Sequence, residues 1–427
     1  MASAREPIDE WIERHEKEPD VVAKEKAERF LKAVELKAPD RVPVAGVGGD
    51  FLCTYTGITW YDLSYNLDKI PPAVSKFLHD FPSDWGIVFA PMMLEGFILA
   101  LAFADFPDFS NLIRFLTGPV HDILKDKWSQ WPGREIPETY HPQFRGGEFM
   151  HPEEYKKLIE NPVEFVHNII LPRACPGLGK PGSSQWNGAW IRVGITMQKI
   201  LEFLISMGGI AAKAGVPSFP MTNAYTPADI IGDFLRHPTG AMLDMRRYPD
   251  DFKAACEVLI DPILKIATAV PPVPPVTFFF IPLHLNEMLN PKMYNEFYWP
   301  YLKKVITTLV GKGYKGFIFF EGDHSPHVDT ILELPKGWGI AWFERPKNFL
   351  KVWETLKGHT TVMGGVSPAL VSGGTSEKIE EYIKNLLNQI KPEGGFILSL
   401  GVNELPKDTP PANVRAYINA VLKYGVY

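Results

Sequence analysis

The sequence predicts an α/β protein, a (β/α)8 TIM barrel with an N-terminal helical extension and a helical insertion. In the C-terminal half, short apolar segments alternate with amphipathic helices, a pattern typical of parallel strands buried on both faces. The pattern GxGxxG occurs at 177–182 among prolines rather than between a strand and a helix, so an open dinucleotide-binding sheet loses its main support. A length of 427 residues suits eight-fold closure into one barrel.

We predict one domain over residues 1–427, with N-terminal helices in 1–38 and a helical insertion over about 90–200. Before the C-terminal half we predict, in order, a helix over 8–36, a buried strand over 40–50, mostly helix from about 70 to 170, a loop over 171–190, and two or three helices over 227–267. We then predict strands over 277–284, 316–322, 339–345, 360–368 and 394–402, and helices over 291–313, 374–390 and 413–425.

Composition and charge exclude several classes of function. The chain is 45% hydrophobic and 22% charged, and its net charge of −6 with no basic stripe argues against nucleic acid. The N-terminus is too charged for a signal peptide, and the most apolar stretch, 87–103, is short and interrupted by Pro91 and Glu95. We therefore expect a cytoplasmic protein without a membrane segment. The three cysteines are far apart and form no CxxC pair, which argues against a disulfide framework and a cysteine-rich zinc site.

The segment GFIFFEGDHSPH at 316–327 places polar residues directly after an apolar strand. Barrel active sites are built where strands end, and a carboxylate after FIFF is costly unless it faces a polar cavity. We therefore predict Glu321, Asp323 and His324 as catalytic residues. The alternatives are a structural ion pair for Glu321 and a solvated loop that begins at Asp323 and His324.

Other polar residues follow predicted strands in the same way. His284 ends the strand over 277–284, and with Glu321 it is the predicted metal-binding pair. The predicted substrate-binding residues are Asp50, Glu287, Glu344 and Tyr298. Alternatives stay open for several of these residues: His284 and Glu287 can cap the next helix, Glu344 can pair with Arg345, and Tyr298 can belong to the core.

Several segments resemble one known family in their order and spacing. They are DRVPV, PADIIGDFLRHPTGAMLDMRRYPDDF, LNPKMYNEFYWPYLKKVI, GGVSPALVSGGTSEKIEEYIKNLL and GGFILSLGV. They resemble the uroporphyrinogen decarboxylase superfamily of (β/α)8 barrels, most strongly over 220–427.

The resemblance separates two branches of that superfamily. True uroporphyrinogen decarboxylases carry an arginine-rich RQAGR-type stretch soon after the first strand, whereas this chain has GVGGDFLCTYTGITW, without the counter-charges for a polyanionic tetrapyrrole. Thiol-methylating corrinoid enzymes of the other branch carry zinc on His-x-Cys and a distant Cys. This chain has Phe319, Phe320 and Glu321 at the first place and Val402 at the second.

An oxygen- and nitrogen-rich site suits activation of an oxygen rather than a thiol. The resemblance therefore implies a methyltransferase that takes the methyl group from a methoxylated aromatic compound, an O-demethylation. It implies zinc on His284 and Glu321 as a Lewis acid, and a separate corrinoid protein that carries the cobalamin, since the chain has no DxHxxG motif.

Two other functions stay open at this stage. One is a cofactor-free decarboxylase or lyase of the uroporphyrinogen decarboxylase type that acts on a cyclic or aromatic acid. The other is an inactive barrel that binds a small aromatic compound or a partner protein. The expected partners are the corrinoid protein and a small aromatic substrate, and the oligomeric state is open, a homodimer being one option.

Overall fold

Six parallel strands form the central sheet of the computed structural model, which describes residues 6–86, 91–390 and 393–427. The strands in chain order are β1 (Leu94–Glu95), β2 (Phe115–Leu116), β3 (Ser129–Gln130), β4 (Gln143–Phe144), β5 (Met221–Asn223), β6 (Phe278–Leu283), β7 (Lys315–Phe320), β8 (Gly339–Phe343), β9 (Thr361–Val366) and β10 (Phe396–Leu400). Strands β5 to β10 pair in that order, each parallel to its neighbour. The pairs β1–β2 and β3–β4 are short antiparallel ladders.

Two further segments extend this sheet beyond β10. Val44 forms a parallel bridge with Leu398 in β10, and Ala45 forms a parallel bridge with Trp85. The ring of Phe30 lies 4.8 Å from that of Trp85 and 5.2 Å from that of Phe219, just before β5. The two ends of the series therefore lie side by side, and eight segments surround one core. The prediction of a TIM barrel is confirmed.

The barrel interior is filled by alternate side chains of the strands. The inward-facing residues include Phe278, Phe317, Ile340, Met363 and Ile397. The residues between them pack against the surrounding helices, as expected for strands whose successive side chains point to opposite faces. Strands buried on both faces are read from sequence as continuous apolar runs, which is why these strands were predictable.

The helices surround the barrel and form the segment between its second and third strands. The α-helices are α1 (Pro7–Lys17), α2 (Pro19–Val34), α3 (Asp50–Thr56), α4 (Trp60–Tyr65), α5 (Ile70–Asp80), α6 (Phe97–Leu101), α7 (Pro107–Leu112), α8 (Gly118–Leu124), α9 (Tyr155–Glu160), α10 (Pro162–Phe165), α11 (Leu171–Ala174), α12 (Ser184–Lys213), α13 (Pro227–Asp229), α14 (His237–Arg247), α15 (Pro249–Ala267), α16 (Pro291–Met293), α17 (Trp299–Gly311), α18 (Phe349–Leu356), α19 (Pro368–Gly373), α20 (Ser376–Ile390) and α21 (Pro411–Tyr424). Segments of π-helix span Val166–Ile170, Ile230–Leu235 and Tyr294–Tyr298, and 3₁₀ segments span Leu67–Lys69, Pro152–Glu154, Pro176–Leu178, Asn286–Met288 and Ser325–Glu333.

Several local predictions differ from the structure. The predicted strand over 40–50 consists of isolated bridges at Arg41, Val44, Ala45 and Gly48, and α3 begins at Asp50. The predicted helix over 8–36 is two helices, because Pro19 disfavours helical backbone at Glu18 and begins α2. The predicted loop over 171–190 is wrong at both ends, since α11 covers Leu171–Ala174 and α12 begins at Ser184. The Ser183 hydroxyl accepts a hydrogen bond from the backbone N–H of Trp186 at 3.2 Å and caps this helix.

Helix α12 is apolar on its outer side as well as its inner side. Ile191, Ile195, Leu201 and Ile205 are exposed large apolar side chains along it. By length and composition alone this helix could cross a membrane. The expectation of a cytoplasmic protein without membrane contact therefore stays a prediction.

Candidate active site

Two of the predicted site residues, His284 and Glu321, directly follow neighbouring strands of the barrel. Leu283 at the end of β6 lies opposite Phe320 at the end of β7, so the next residue of each strand is His284 and Glu321. Phe280 and Phe319 belong to the cluster inside the barrel. Because side chains alternate along a strand, His284 and Glu321 continue the same inward face at the carboxyl end of the barrel.

The imidazole of His284 lies between two carboxylates. Its Nδ1 is 2.6 Å from Oδ2 of Asp233, and its Nε2 is 3.4 Å from Oε1 of Glu321. Burial alone lowers the pKa of His284, but the carboxylates of Asp233 and Glu321 outweigh it and hold this pKa well above its usual value. The two carboxylates therefore favour the protonated form of this partly buried ring, with its Nε2 toward Glu321.

The carboxylate behind His284 comes from a π-helical segment. Asp233 lies in Ile230–Leu235, and Asp229 lies one residue before this segment. Asp229 accepts a hydrogen bond from the backbone N–H of Leu285 at 2.9 Å, so it fixes the chain just after His284. The hydroxyl of Tyr225 donates to Asp233 at 2.8 Å. Segments of π-helix recur at functional sites, since the extra residue redirects side chains from the regular helical positions.

The antiparallel pair β1–β2 brings a third carboxylate and an arginine to the same region. Removal from water raises the pKa of Glu95 to about 7, and nearby His284 opposes that rise. Burial lowers the pKa of Arg114 to about 10, against the attraction of Glu95. The guanidinium of Arg114 donates through Nε to Oδ1 of Asn223 at 3.0 Å, at the end of β5. The segment that enters between the second and third barrel strands thus contributes charged groups to the strand ends.

Aromatic side chains line the interior just below these polar groups. Phe319 stacks on Trp342, with ring centroids 4.0 Å apart, and both belong to the inner cluster together with Phe280. Phe280 and Phe319 are only partly buried. The three rings thus form an aromatic cluster below His284 and Glu321.

Asp323 and His324 lie apart from the His284 imidazole. Asp323 accepts hydrogen bonds from the backbone N–H groups of Ser325 at 3.1 Å and Lys347 at 3.3 Å, so it shapes its own loop. His324 is fully buried beside Phe320, and burial holds its pKa well below the usual value. Its Nδ1 is 3.1 Å from Nδ2 of Asn286. These contacts describe a loop carboxylate and a neutral core imidazole.

Glu287 and Glu344 lie beside Glu321, around the turn at Gly322. The backbone N–H of Gly322 donates to Oε2 of Glu344 at 2.6 Å, and Arg345 donates through Nη2 to both carboxylate oxygens of Glu287, at 2.9 and 2.6 Å. A Cβ on Gly322, whose φ is +67°, would lie 1.8 Å from the Glu287 carboxylate, so the turn requires glycine.

The other two predicted substrate-binding residues make structural contacts. Tyr298 is fully buried, and its hydroxyl donates to Oδ2 of Asp229 at 2.6 Å, so it orients that carboxylate. Asp50 accepts a hydrogen bond from Nε1 of Trp60 at 2.5 Å at the start of α3. Tyr298 is therefore connected to the His284 region through Asp229, whereas Asp50 belongs to a separate polar contact.

Four polar residues of the site were not predicted from the sequence: Asp229, Asp233, Glu95 and Arg114. Asp229 and Asp233 are four residues apart in the apolar run PADIIGDFL, a spacing that puts two carboxylates on one helical face. Glu95 is the one charged residue in the apolar stretch 87–103. A carboxylate in either position is costly unless it serves a polar cavity, and this argument could have found both.

The predicted zinc pair lacks a third ligand. In residues 6–86, 91–390 and 393–427, no three His, Cys, Asp or Glu side chains are arranged to hold one metal ion. Catalytic zinc usually has three protein ligands, while His284 and Glu321 supply two, and Nδ1 of His284 already binds Asp233. Two protein ligands are fewer than a catalytic zinc ion usually has, so the chemistry below is derived from the protein side chains.

The comparisons with known proteins agree with this architecture. Curated protein sequences give no match. The solved structure of a methyltransferase from Methanosarcina mazei is similar, with a TM-score of 0.51, 14% sequence identity, and coverage of 92% of this chain and 96% of that chain. Its likeness at this identity is a likeness of fold. Residues 219–424 match the family model of uroporphyrinogen decarboxylase (URO-D), and this range contains β5 to β10 with His284 and Glu321. The resemblance found in the sequence is thereby confirmed over residues 219–424, which match the model of the uroporphyrinogen decarboxylase family.

Proposed function

We propose that this protein is a methyltransferase that moves the methyl group of a methoxylated aromatic compound to the cobalamin of a separate corrinoid protein. The observation that supports this most is the imidazolium of His284, held between Asp233 and Glu321 at the carboxyl end of the barrel. An aryl oxygen is a poor leaving group unless a proton or a metal neutralises it as the C–O bond breaks. His284 can supply that proton.

In the proposed step, the protein supplies one proton and the corrinoid protein accepts the methyl group. The cobalamin of the corrinoid protein supplies the nucleophile that accepts the methyl group. The electrons of the C–O bond stay on the aryl oxygen, which takes the proton from Nε2 of His284 and leaves as a phenol. Asp233 keeps Nδ1 of His284 protonated and the ring oriented. A proton from this imidazole neutralises the charge that develops on the aryl oxygen as the C–O bond breaks.

The aromatic surface below His284 supports a flat substrate. Phe280, Phe319 and Trp342 present ring faces and edges to the interior, and stacking orients an aromatic ring so that its methoxy oxygen lies toward the polar groups above. The fold-level likeness to a protein named methyltransferase agrees with the reaction class. Zinc on His284 and Glu321 stays a prediction, which metal analysis of the purified protein tests separately.

The direct test is an O-demethylation assay. The protein is incubated with a panel of methoxybenzoates, a reduced corrinoid protein and a reductant, and the absorbance of the methylated corrinoid is followed together with the released phenol. We expect both products in equal amounts. No reaction across the panel would contradict the proposal. Release of carbon dioxide from aromatic acids without corrinoid would support the decarboxylase alternative instead.

Variants of the two central residues sharpen this test. His284→Ala should lower the rate by about 10²–10⁴, the usual contribution of a general acid, and Glu321→Gln should lower it in the same direction. The control is Glu333→Gln, because Glu333 pairs with Lys303 and Trp299 on the outer layer. A Glu321→Gln protein with an unaltered rate would remove Glu321 from the mechanism.

A further inference from the structure

A cavity lies at the other end of the barrel, away from His284. It has a volume of about 580 Å³ and lies between α1, α2, α5 and the end of α12. Lys26 in its wall is one turn before Phe30, whose ring contacts Phe278 at the start of β6. The cavity therefore lies at the amino end of the strands and is distinct from the candidate active site. Its size is in the range of sites for small molecules.

Lys26 brings an unbalanced positive charge to this cavity. Its side chain is 1% exposed, and its ammonium lies 4.8 Å from the ring centroid of Trp11. Its one hydrogen bond among the described residues is to the backbone carbonyl of Ala214, at 3.3 Å. Burial lowers the pKa of Lys26 to about 8, so the ammonium is still mostly protonated at neutral pH.

The nearest buried carboxylate, Asp84, is already used by other groups. Its two oxygens accept hydrogen bonds from Arg29 at 2.6 Å, from Arg41 at 2.6 and 2.9 Å, and from the backbone N–H of Val44 at 2.9 Å. No ion pair of the described residues includes Lys26. Two N–H groups of a buried ammonium thus stay available, which favours an anionic ligand.

A hydrogen-bond acceptor lies beside this ammonium. Nε2 of His15 donates to the backbone carbonyl of Lys213 at 2.9 Å, and burial lowers the pKa of His15, so the neutral ring has its lone pair on Nδ1. Nδ1 is buried without a partner among the described residues. A Cβ placed on Gly215 would be 3.0 Å from Nδ1 of His15 and 3.6 Å from Nζ of Lys26. The same Cβ would be 2.7 Å from Cε1 of His15, so glycine is needed here for the imidazole and the ammonium to lie close together against the backbone.

We propose that this cavity binds an apolar carboxylate with a hydroxyl group on the adjacent carbon. The carboxylate accepts hydrogen bonds from Lys26, and the hydroxyl donates to Nδ1 of His15. The apolar body lies against Trp11, Ile12, Leu78 and Ile210, which line the cavity. The ligand is thus a 2-hydroxy acid with an aromatic or branched aliphatic body, and its binding does not depend on the function proposed for the His284 site.

Isothermal titration calorimetry with three related probes tests the assignment on the full chain. Mandelate has both polar groups, phenylacetate lacks the hydroxyl, and 1-phenyl-1,2-ethanediol lacks the charge. We expect mandelate to bind most tightly, phenylacetate several-fold more weakly, and the diol about tenfold or more weakly. No mandelate binding at millimolar concentrations, or equal binding of either other probe, would overturn the proposal.

Variants identify the cavity as the place of binding. Lys26→Met keeps the buried stem of the side chain and should weaken mandelate binding about tenfold or more. Ser75→Trp, at an exposed position on the cavity wall, should weaken it by filling the space. The matched control is Lys24→Met, whose side chain is exposed on the same helix. Unchanged affinity in Lys26→Met, or an equal loss in Lys24→Met, would show that the cavity is not the binding site.

Discussion

At the scale of single residues, two carboxylates decide at which pH the imidazole of His284 carries a proton. Replacing Asp233 by Asn removes the closer one and should lower the pKa of His284. A pKa raised by folding stabilises the protein below the unfolded pKa, and this stabilisation is lost as the pH rises through the folded pKa. In Asp233→Asn the pKa of His284 is lower, so we expect the protein to lose this stabilisation at a lower pH than the unsubstituted protein does. The alkaline limb of the pH–rate profile should move to lower pH in the same way. Titration of labelled histidine by NMR measures the shift directly; an unchanged titration of His284 would contradict it.

Glu95 gives a second prediction at this scale. Its folded pKa of about 7 lies above its ordinary value of 4.5, because removal from water disfavours the charged form. Between these pH values the folded state holds a proton that the unfolded state releases, so the free energy of unfolding falls as the pH rises. Glu95→Gln should remove this part of the pH dependence. Urea unfolding of both proteins across this window measures it, and parallel curves would show that the Glu95 carboxyl is not shifted.

The sequence predicted His284 and Glu321 because both end apolar strands, and strand alternation then determines the direction of their side chains. The sequence alone could not show that Glu321 faces the barrel interior while Asp323 and His324 do not. The turn at Gly322 ends the alternation of side-chain directions along the strand. Asp233 was missed for another reason: its approach to His284 depends on a contact between distant segments. Residues that follow the strand register were therefore predictable, whereas residues placed by tertiary contacts were not.

At the scale of elements, α12 has two faces that should respond differently to the same substitution. Val193 is fully buried, so Val193→Lys buries an ammonium and should lower the free energy of unfolding by about 3 kcal/mol or more. Ile205 is 69% exposed, so Ile205→Lys should change it by about 0.5 kcal/mol or less. Chemical denaturation compares the two variants. A large loss in Ile205→Lys would show that the outer face is covered in solution.

The elements of the C-terminal half were easier to predict than those of the insertion. Pro238 and Pro249 each lie in the first turn of a helix, α14 and α15, as their restricted backbone predicts. The start of α12 was missed because Gly and Pro dominate the sequence just before it, and Gly188 and Gly194 weaken its helical pattern. The π-helical segment Ile230–Leu235 has no sequence pattern of its own, so its effect on Asp233 is seen in the structure alone.

At the scale of the whole molecule, Asp84 joins three parts of the barrel. Its carboxylate is fully buried and binds Arg29 from α2 and both Arg41 and Val44 from the first strand segment. Asp84→Asn leaves the buried guanidinium of Arg41 without its charge partner, removes one of the two carboxylates that pair with Arg29, and should cost about 3–5 kcal/mol of unfolding free energy. Asp40→Asn is the control, because the Asp40 side chain is 62% exposed and its pair with Arg29 should contribute at most about 1 kcal/mol. Equal losses in urea unfolding would contradict this assignment.

The barrel as a whole was predictable because its later strands are continuous apolar runs that alternate with helices. The first two barrel segments are bridges at Val44, Ala45 and Trp85 rather than long ladders, so their pairing partners could not be read from the sequence. The extent of the predicted single domain over 1–427 and of its insertion over about 90–200 stays a prediction. Limited proteolysis tests it, since two stable halves would contradict a single domain.

The pairing of Val44 with Leu398 has a consequence for synthesis of the chain. The backbone N–H of Ile8 in α1 also donates to Oδ1 of Asn419 in α21, at 2.8 Å, so an early and a late segment of the chain contact each other. A ribosome adds about 5–20 residues per second, so the first strand segment waits tens of seconds for its partner to emerge. Until then its backbone groups lack their native partner and are open to pairing with other chains. Newly made protein should therefore need protection from aggregation until its last strand leaves the ribosome.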